Sequence, residues 1–181
     1  QEVAYVDYKY IKSQKESLLR KASQAFFYKK KEQEEFENFQ KENQVWLEDY
    51  ALFLALNKKF KGRMWNTWQK EYKFRNKKFI EEARKIYQEE YKYESFIQYY
   101  FYKQWKQLKN YANKKGIKII GDLPIYVATH SADTWQNPKL FCFDKHLKIK
   151  SVAGCPPDYF SKTGQLWGNV LYDWKELERT T

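Results

Sequence analysis

Residues 114–122, Lys114-Lys115-Gly116-Ile117-Lys118-Ile119-Ile120-Gly121-Asp122, decide how the chain reads. Ile117 to Ile120 is short, mostly apolar and β-branched, with a glycine on each side, which is the pattern of a buried strand. The lysine pair suits the negative end of a helix dipole, and Gly116 suits the C′ position after a helix. A long helix, a glycine and a buried strand make the αβ unit of a parallel sheet or barrel. One strand cannot make a sheet, so its partners are expected outside this sequence. In such barrels the active-site groups sit where strands end and loops begin. Asp122 occupies that position. Two roles suit it: accepting hydrogen bonds from loop backbone, or lining a polar cleft as a carboxylate.

Upstream of Gly116 the chain holds one glycine, Gly62, and no proline, and its apolar residues recur at helical spacing. Ser13 and Glu16 have capping-box spacing, with Leu18, Ala22 and Phe26 following on one face. A second helix is expected from about Gln33 to Lys59, with Phe36, Phe39, Trp46, Tyr50, Phe53 and Leu54 inward. Gly62 ends it, and Trp65 and Trp68 fall in the connection. A third helical stretch, with room for a bend, is expected from about Asn76 to Lys115. Its apolar stripe is Phe79, Ala83, Ile86, Tyr93, Ile97, Phe101, Trp105, Leu108 and Ala112. Stripes of this kind are core, so residues 1–115 read as an α-helical subdomain with no chemistry of its own.

Downstream the grammar changes, because all four prolines and most of the six glycines follow Gly116. Residues 116–181 therefore read as one strand followed by a long, loop-rich segment, and loops of that length are usually functional or disordered. The aromatic content argues against disorder. The run from Gly154 to Asn169 is the most informative part. Pro156-Pro157 stiffens its start, and Gly164 and Gly168 permit backbone shapes closed to other residues. Between them stand Tyr159, Phe160 and Trp167, with Asp158, Gln165 and Asn169. Sugars present apolar ring faces and a rim of hydroxyls, so a saccharide site needs both kinds of group. The alternative is a surface loop whose aromatics pin it to the body of the protein.

Charge and composition narrow the partners. A net charge of +11 with 20% aromatic residues could suit a groove for single-stranded nucleic acid. The excess, however, lies before Gly116, where 26 Lys and Arg face 16 Asp and Glu, against eight and seven after it. Those lysines alternate with glutamates, as on a solvated helix face, and Lys, Tyr, Phe, Asn and Ile are all favoured by AT-rich coding. Nucleic acid is not an expected partner. No stretch approaches the roughly 18 apolar residues of a membrane span, so no membrane partner is expected either. Cys142 and Cys155 are too few for a disulfide framework and read as reduced thiols of a cytoplasmic protein. Interleaved with His130 and His146, they lack the paired short spacings of a zinc site. Neither a metal nor a cofactor is expected.

Several runs resemble the 4-α-glucanotransferases, the amylomaltase-type enzymes of glycoside hydrolase family 77. They are Gly116 to Val127, Ser131-Ala132-Asp133 with Trp135, Asn137-Pro138, Val152 to Gly154, Pro156 to Ser161, Thr163 to Asn169 and Leu171 to Trp174. Upstream, Val6-Asp7-Tyr8, Trp46 to Phe53, Phe96 to Gln98 and Gln104-Trp105 are also similar, so the resemblance covers nearly the whole chain. It implies an α/β fold, part of an elaborated (β/α)₈ TIM barrel. Residues 1–115 would be a mostly α-helical insertion subdomain, and 116–181 a barrel strand plus an active-site loop segment. It implies transfer of α-1,4-glucan segments between maltooligosaccharides with retention, through a covalent glycosyl-enzyme. It places Tyr159 and Phe160 on a loop over the cleft at acceptor subsites, Trp167 and Asn169 on the same wall, and Asp122 at the cleft floor; Asp158 and Gln165 complete the expected substrate-binding set. The family's nucleophile, acid/base and third aspartate come from motifs downstream of Leu171 to Trp174. With Gln1 as its first residue, the chain is accordingly expected to be an internal fragment with no catalytic residue, and Asp122, Asp133, Asp158 and Asp173 do not substitute for the missing ones. His130, Cys155 and Val170 depart from the family pattern, where an acidic or short polar residue, a small apolar residue and a proline are expected. Two readings from other classes stand beside this one: a glucan-binding module without catalysis, and a basic helical nucleic-acid binder.

Overall fold

The computed structural model describes residues 5–29 and 32–180. Six α-helices fill the chain up to Lys114 among the described residues: α1 (Tyr8–Lys29), α2 (Gln33–Glu42), α3 (Gln44–Lys59), α4 (Lys70–Lys73), α5 (Lys77–Ile86) and α6 (Gln88–Lys114). After them come α7 (Ala132–Gln136), β1 (Val152–Cys155), β2 (Gln165–Val170) and α8 (Trp174–Thr180), with short 3₁₀ turns at Trp65–Thr67 and Pro138–Leu140. By their internal contacts these residues form two compact units, Gln1–Glu48 with Glu89–Ile119, and Asp49–Gln88 with Ile120–Thr181.

Aromatic rings hold the first unit together. Phe26 of α1, Phe36 of α2, and Phe96 and Tyr99 of α6 are buried together. Phe26 lies with its ring centroid 5.5 Å from Phe36 and 5.3 Å from Phe96, within the range where aromatic pairs gain beyond area alone. Ion pairs rim this core. Arg20 bonds Glu90 at 3.0 Å and Glu16 at 3.1 Å, with its guanidinium 4.0 Å from the Tyr93 ring centroid. Lys103 bonds Glu32 at 2.7 Å and Glu35 at 2.8 Å. The exit from α6 is as expected: Gly116 adopts φ +77°, its N–H donates to Asn113 O and that of Ile117 to Ala112 O. Those two bonds are the Schellman pair that closes a helix.

The second unit is built on tryptophan. Leu52, Phe53 and Leu56 of α3 pack with Trp65, Trp68, Tyr72, Ile80, Ala83, Ala132 and Trp135. A buried indole N–H needs an acceptor, and each of these finds one. Trp65 donates to Thr129 O at 2.9 Å and Thr134 Oγ1 at 3.0 Å, and Trp135 donates to Tyr72 O at 2.9 Å. Ser131 caps α7 by accepting the Thr134 N–H at 3.3 Å.

The structure corrects several element boundaries. α1 begins at Tyr8, with Asp7 Oδ1 accepting the Tyr10 N–H at 2.9 Å, while Ser13 Oγ donates to Tyr10 O. The Ser13–Glu16 capping box is therefore not used, and Leu18 and Ala22 are exposed while Phe26 is buried. The expected helix over 33–59 is two helices. Asn43 separates them, its Nδ2 donating to Phe39 O at 2.8 Å and its Oδ1 accepting from Trp46 Nε1 at 3.0 Å. The stretch over 76–115 likewise divides at Tyr87. Beyond Tyr100 its apolar stripe is not core, since Phe101, Trp105 and Leu108 are exposed.

The largest difference concerns Ile117–Ile120. No strand forms there, and Ile120 is 93% exposed. A strand exists only as part of a ladder, and no other described segment pairs with this one. The sheet among the described residues is instead an antiparallel hairpin of β1 and β2, in the segment expected to be loop. Its register pairs Cys155 with Gln165, Gly154 with Leu166 and Val152 with Val170, with a bulge between Val152 and Gly154.

Candidate substrate-binding site

The hairpin carries six of the seven residues expected to bind substrate: Asp158, Tyr159 and Phe160 on its connection, and Gln165, Trp167 and Asn169 on β2. Two glycines let its strands meet. A Cβ at Gly154 would lie 2.5 Å from Gln165 O, and one at Gly164 would lie 2.6 Å from Cys155 O, where φ is also +74°. Either contact is closer than a side chain tolerates, so the turn geometry selects glycine.

The tip between the strands is knit by its own polar groups. Asp158 Oδ1 accepts the N–H groups of Phe160 at 2.9 Å and Ser161 at 2.7 Å, and Ser161 Oγ donates to Gly164 O at 2.7 Å. Asp158 is thereby committed to loop backbone, as Asx turns use it. The tip presents two rings to solvent, Tyr159 at 95% exposure and Phe160 at 89%, set edge to face with centroids 5.5 Å apart. Rings pinning a loop to the protein body would be covered, and these are not.

Along β2, Trp167 Nε1 donates to Gln165 Oε1 at 3.0 Å, which places these two side chains together. Trp167 keeps half its surface open and stands 6.3 Å from the Tyr126 ring, which stacks on Tyr172 at 6.1 Å. Asn169 Nδ2 donates to Val127 O at 2.9 Å, so its amide is used at least once by the framework. Asp122 lies on exposed irregular chain, and among the described residues its carboxylate takes no hydrogen bond. The structure thus joins Gln165 with Trp167 and Asp158 with the Tyr159–Phe160 tip, and leaves Asp122 apart.

Thr129, which sequence reasoning did not select, ties β2 in place, and the next residue, His130, bonds the Trp65 backbone. Thr129 Oγ1 donates to Gly168 O at 3.1 Å and accepts the Val170 N–H at 3.0 Å. His130 Nδ1 accepts the Trp65 backbone N–H at 3.2 Å, so the neutral ring carries its proton on Nε2, which faces Asn57 Oδ1 at 2.9 Å. Burial holds its pKa below the usual imidazole value. Partners 39 and 41 residues away gave Thr129 no local signal. Both cysteines are free thiols. Among the described residues no group of three or more His, Cys, Asp or Glu side chains is placed to hold a metal, and no helix is long and apolar enough to cross a membrane. Two open hollows, of about 630 Å³ beside Phe26 and Phe96 and about 750 Å³ beside Arg75 and Trp135, include none of the predicted site residues.

Over residues 1–181 the sequence matches the glycoside hydrolase family 77 profile, described as 4-alpha-glucanotransferase. The chain belongs to that family. It is 48% identical over 176 residues to a 4-alpha-glucanotransferase of Clostridium butyricum, covering 97% of this chain and 36% of that protein. It is 44% identical over 172 residues to one of Aquifex aeolicus, covering 95% and 34%. The structure superposes with a TM-score of 0.89 and 36% identity on amylomaltase from Streptococcus agalactiae in complex with acarbose, covering 97% of this chain and 35% of that one. The chain therefore spans about a third of the length of the relatives it matches.

Proposed function

We propose that these residues form the acceptor-side wall of the glucan cleft in a cytoplasmic 4-α-glucanotransferase, which moves α-1,4-glucan segments between maltooligosaccharides with retention. Residues 116–181 supply a strand and the cleft wall of an elaborated (β/α)₈ barrel, and residues 1–115 form its helical insertion. Ile117 to Ile120, exposed in this chain, gains its ladder from strands elsewhere in the barrel. The observation that carries the reading is the hairpin tip. Two adjacent rings stand almost fully exposed on a loop whose backbone is fixed by Asp158 and Ser161. Family membership and the acarbose complex of the S. agalactiae relative support a glucan as what those rings meet.

Retaining transfer uses two carboxyl groups roughly 5–5.5 Å apart, one attacking the anomeric carbon, the other protonating the departing sugar oxygen and then deprotonating the incoming one. Those groups are expected outside these residues. What this chain contributes is the fate of the intermediate. Rings over the glycosyl-enzyme exclude water and give the incoming sugar a stacking surface, so a sugar 4-hydroxyl wins over water. Trp167, oriented by Gln165, extends that apolar wall, Asn169 offers a hydrogen-bonding amide on the same strand, and Asp122 supplies a carboxylate elsewhere in the cleft. The test is incubation with maltotriose. The intact protein is expected to release glucose and longer maltooligosaccharides, while the 181-residue chain alone stays at the level of a mock purification. An intact protein that binds maltotriose without redistributing it would make this a binding module instead.

A further inference from the structure

We infer that Thr129 and His130 are positioning residues for the hairpin wall, a two-sided clamp that sets β2 against the Trp65 core and that a proton on His130 loosens. The inference rests on the reading of that wall as the acceptor side of the cleft. Among the described residues β2 pairs with β1 along one edge only. Its other edge runs beside residues 127–129 with no backbone ladder, and side chains do the joining. Thr129 Oγ1 serves both Gly168 O and the Val170 N–H, and Asn169 reaches Val127 O. One hydroxyl thus satisfies two backbone groups next to the bulge, where the β1 ladder is irregular. Trp167 and Asn169 flank the residue it holds.

The other side of the clamp faces the core. Thr129 O accepts from Trp65 Nε1 at 2.9 Å and Thr134 Oγ1 at 2.8 Å, and the next residue, His130, accepts the Trp65 backbone N–H. Trp65 is fully buried, so the reference point is rigid. The groups against the imidazole are Asn57 and Phe53 of α3, the Trp65 backbone and Trp68, none of them ionisable. Burial alone lowers the affinity of the ring for a proton. When a proton does bind Nδ1, the ring has two donors, the Trp65 N–H loses its acceptor, and two N–H groups oppose each other. Thr129 is one residue away, so the loss passes to β2.

The experiment follows amide exchange of residues 165–170 in the intact protein beside steady-state transfer from maltotriose. Thr129→Val keeps the shape and removes both hydroxyl bonds. Exchange at Val170 is expected to quicken, and KM for maltotriose to rise about fivefold to thirtyfold, the scale of one to two lost hydrogen bonds, with kcat within about twofold. His130→Asn leaves Oδ1 where Nδ1 was and does not titrate. Protection of residues 165–170, corrected for intrinsic exchange, is expected to fall in the parent between about pH 7 and about pH 5 and to stay level in this variant. Parent-like exchange in Thr129→Val overturns the clamp. So does quickened exchange with KM unchanged, because the bond is then structural only. A parent that transfers no glucan fails the acceptor-wall reading instead, and the exchange results still decide whether the clamp exists.

Discussion

Trp65 and Trp135 are wholly enclosed, whereas Tyr159 and Phe160 stand 95% and 89% exposed, although all four belong to the same second unit. The difference lies in what their neighbours offer. The enclosed indoles meet carbonyl and hydroxyl acceptors placed for their N–H groups. The exposed rings meet each other, on a loop that satisfies its own backbone. A chain can therefore be rich in aromatics for two unrelated reasons, and burial, not composition, separates them.

Substitution should break that comparison most visibly at the core. Trp65→Ala is expected to cost about 3–5 kcal/mol through the cavity and the stranded acceptors. Tyr159→Ala should stay within about 0.5 kcal/mol, as surface changes do. Denaturant midpoints of the two variants check this, and a Tyr159→Ala midpoint as low as that of Trp65→Ala would show the tip to be core.

Acid sharpens a second contrast, between the two units. His130 has a folded pKa below its ordinary 6.5, so below that pH the unfolded chain takes up a proton that the fold resists, and the second unit loses stability first. In the first unit, the bonds from Lys103 hold Glu32 and Glu35 below their ordinary 4.5, so their contribution is complete above that pH and lost as it falls through the folded values. On the alkaline side, Lys103 is raised above 10.5 by Glu32 and Glu35, and burial pushes Tyr99 up to about 12. Both effects remove stability as pH rises past 10. Amide exchange should quicken around Trp65 at a higher pH than around Phe96; simultaneous acid loss would contradict the assignment.

The helical half was legible because apolar spacing and the Gly116 exit are local signals. Its internal breaks were not. Asn43 ends one helix with bonds to Phe39 and Trp46, and no glycine or proline marks the place. Ile117 to Ile120 shows the opposite failure: an apolar run records that a segment is suited to a sheet, but the ladder belongs to other residues. The hairpin was hidden by its own requirements. Gly154 and Gly168 sit inside strands, where glycine usually argues against one. The aromatic and polar residues of the candidate site were readable by type and as one run, and the bonds that fix them were not. Thr129 escaped notice altogether, since nothing nearby in sequence announces bonds to Gly168 and Val170.

The central claim is that the exposed rings govern where the glycosyl group goes. Its most direct test is the ratio of hydrolysis to transfer on maltotriose in the intact protein carrying Tyr159→Ala and Phe160→Ala together. Each lost aromatic contact is worth about 1 kcal/mol. The account therefore predicts a several-fold rise in the ratio, read as reducing-sugar release beside glucose transfer, with the carboxylate chemistry intact. A folded double variant with the parent's ratio would contradict it.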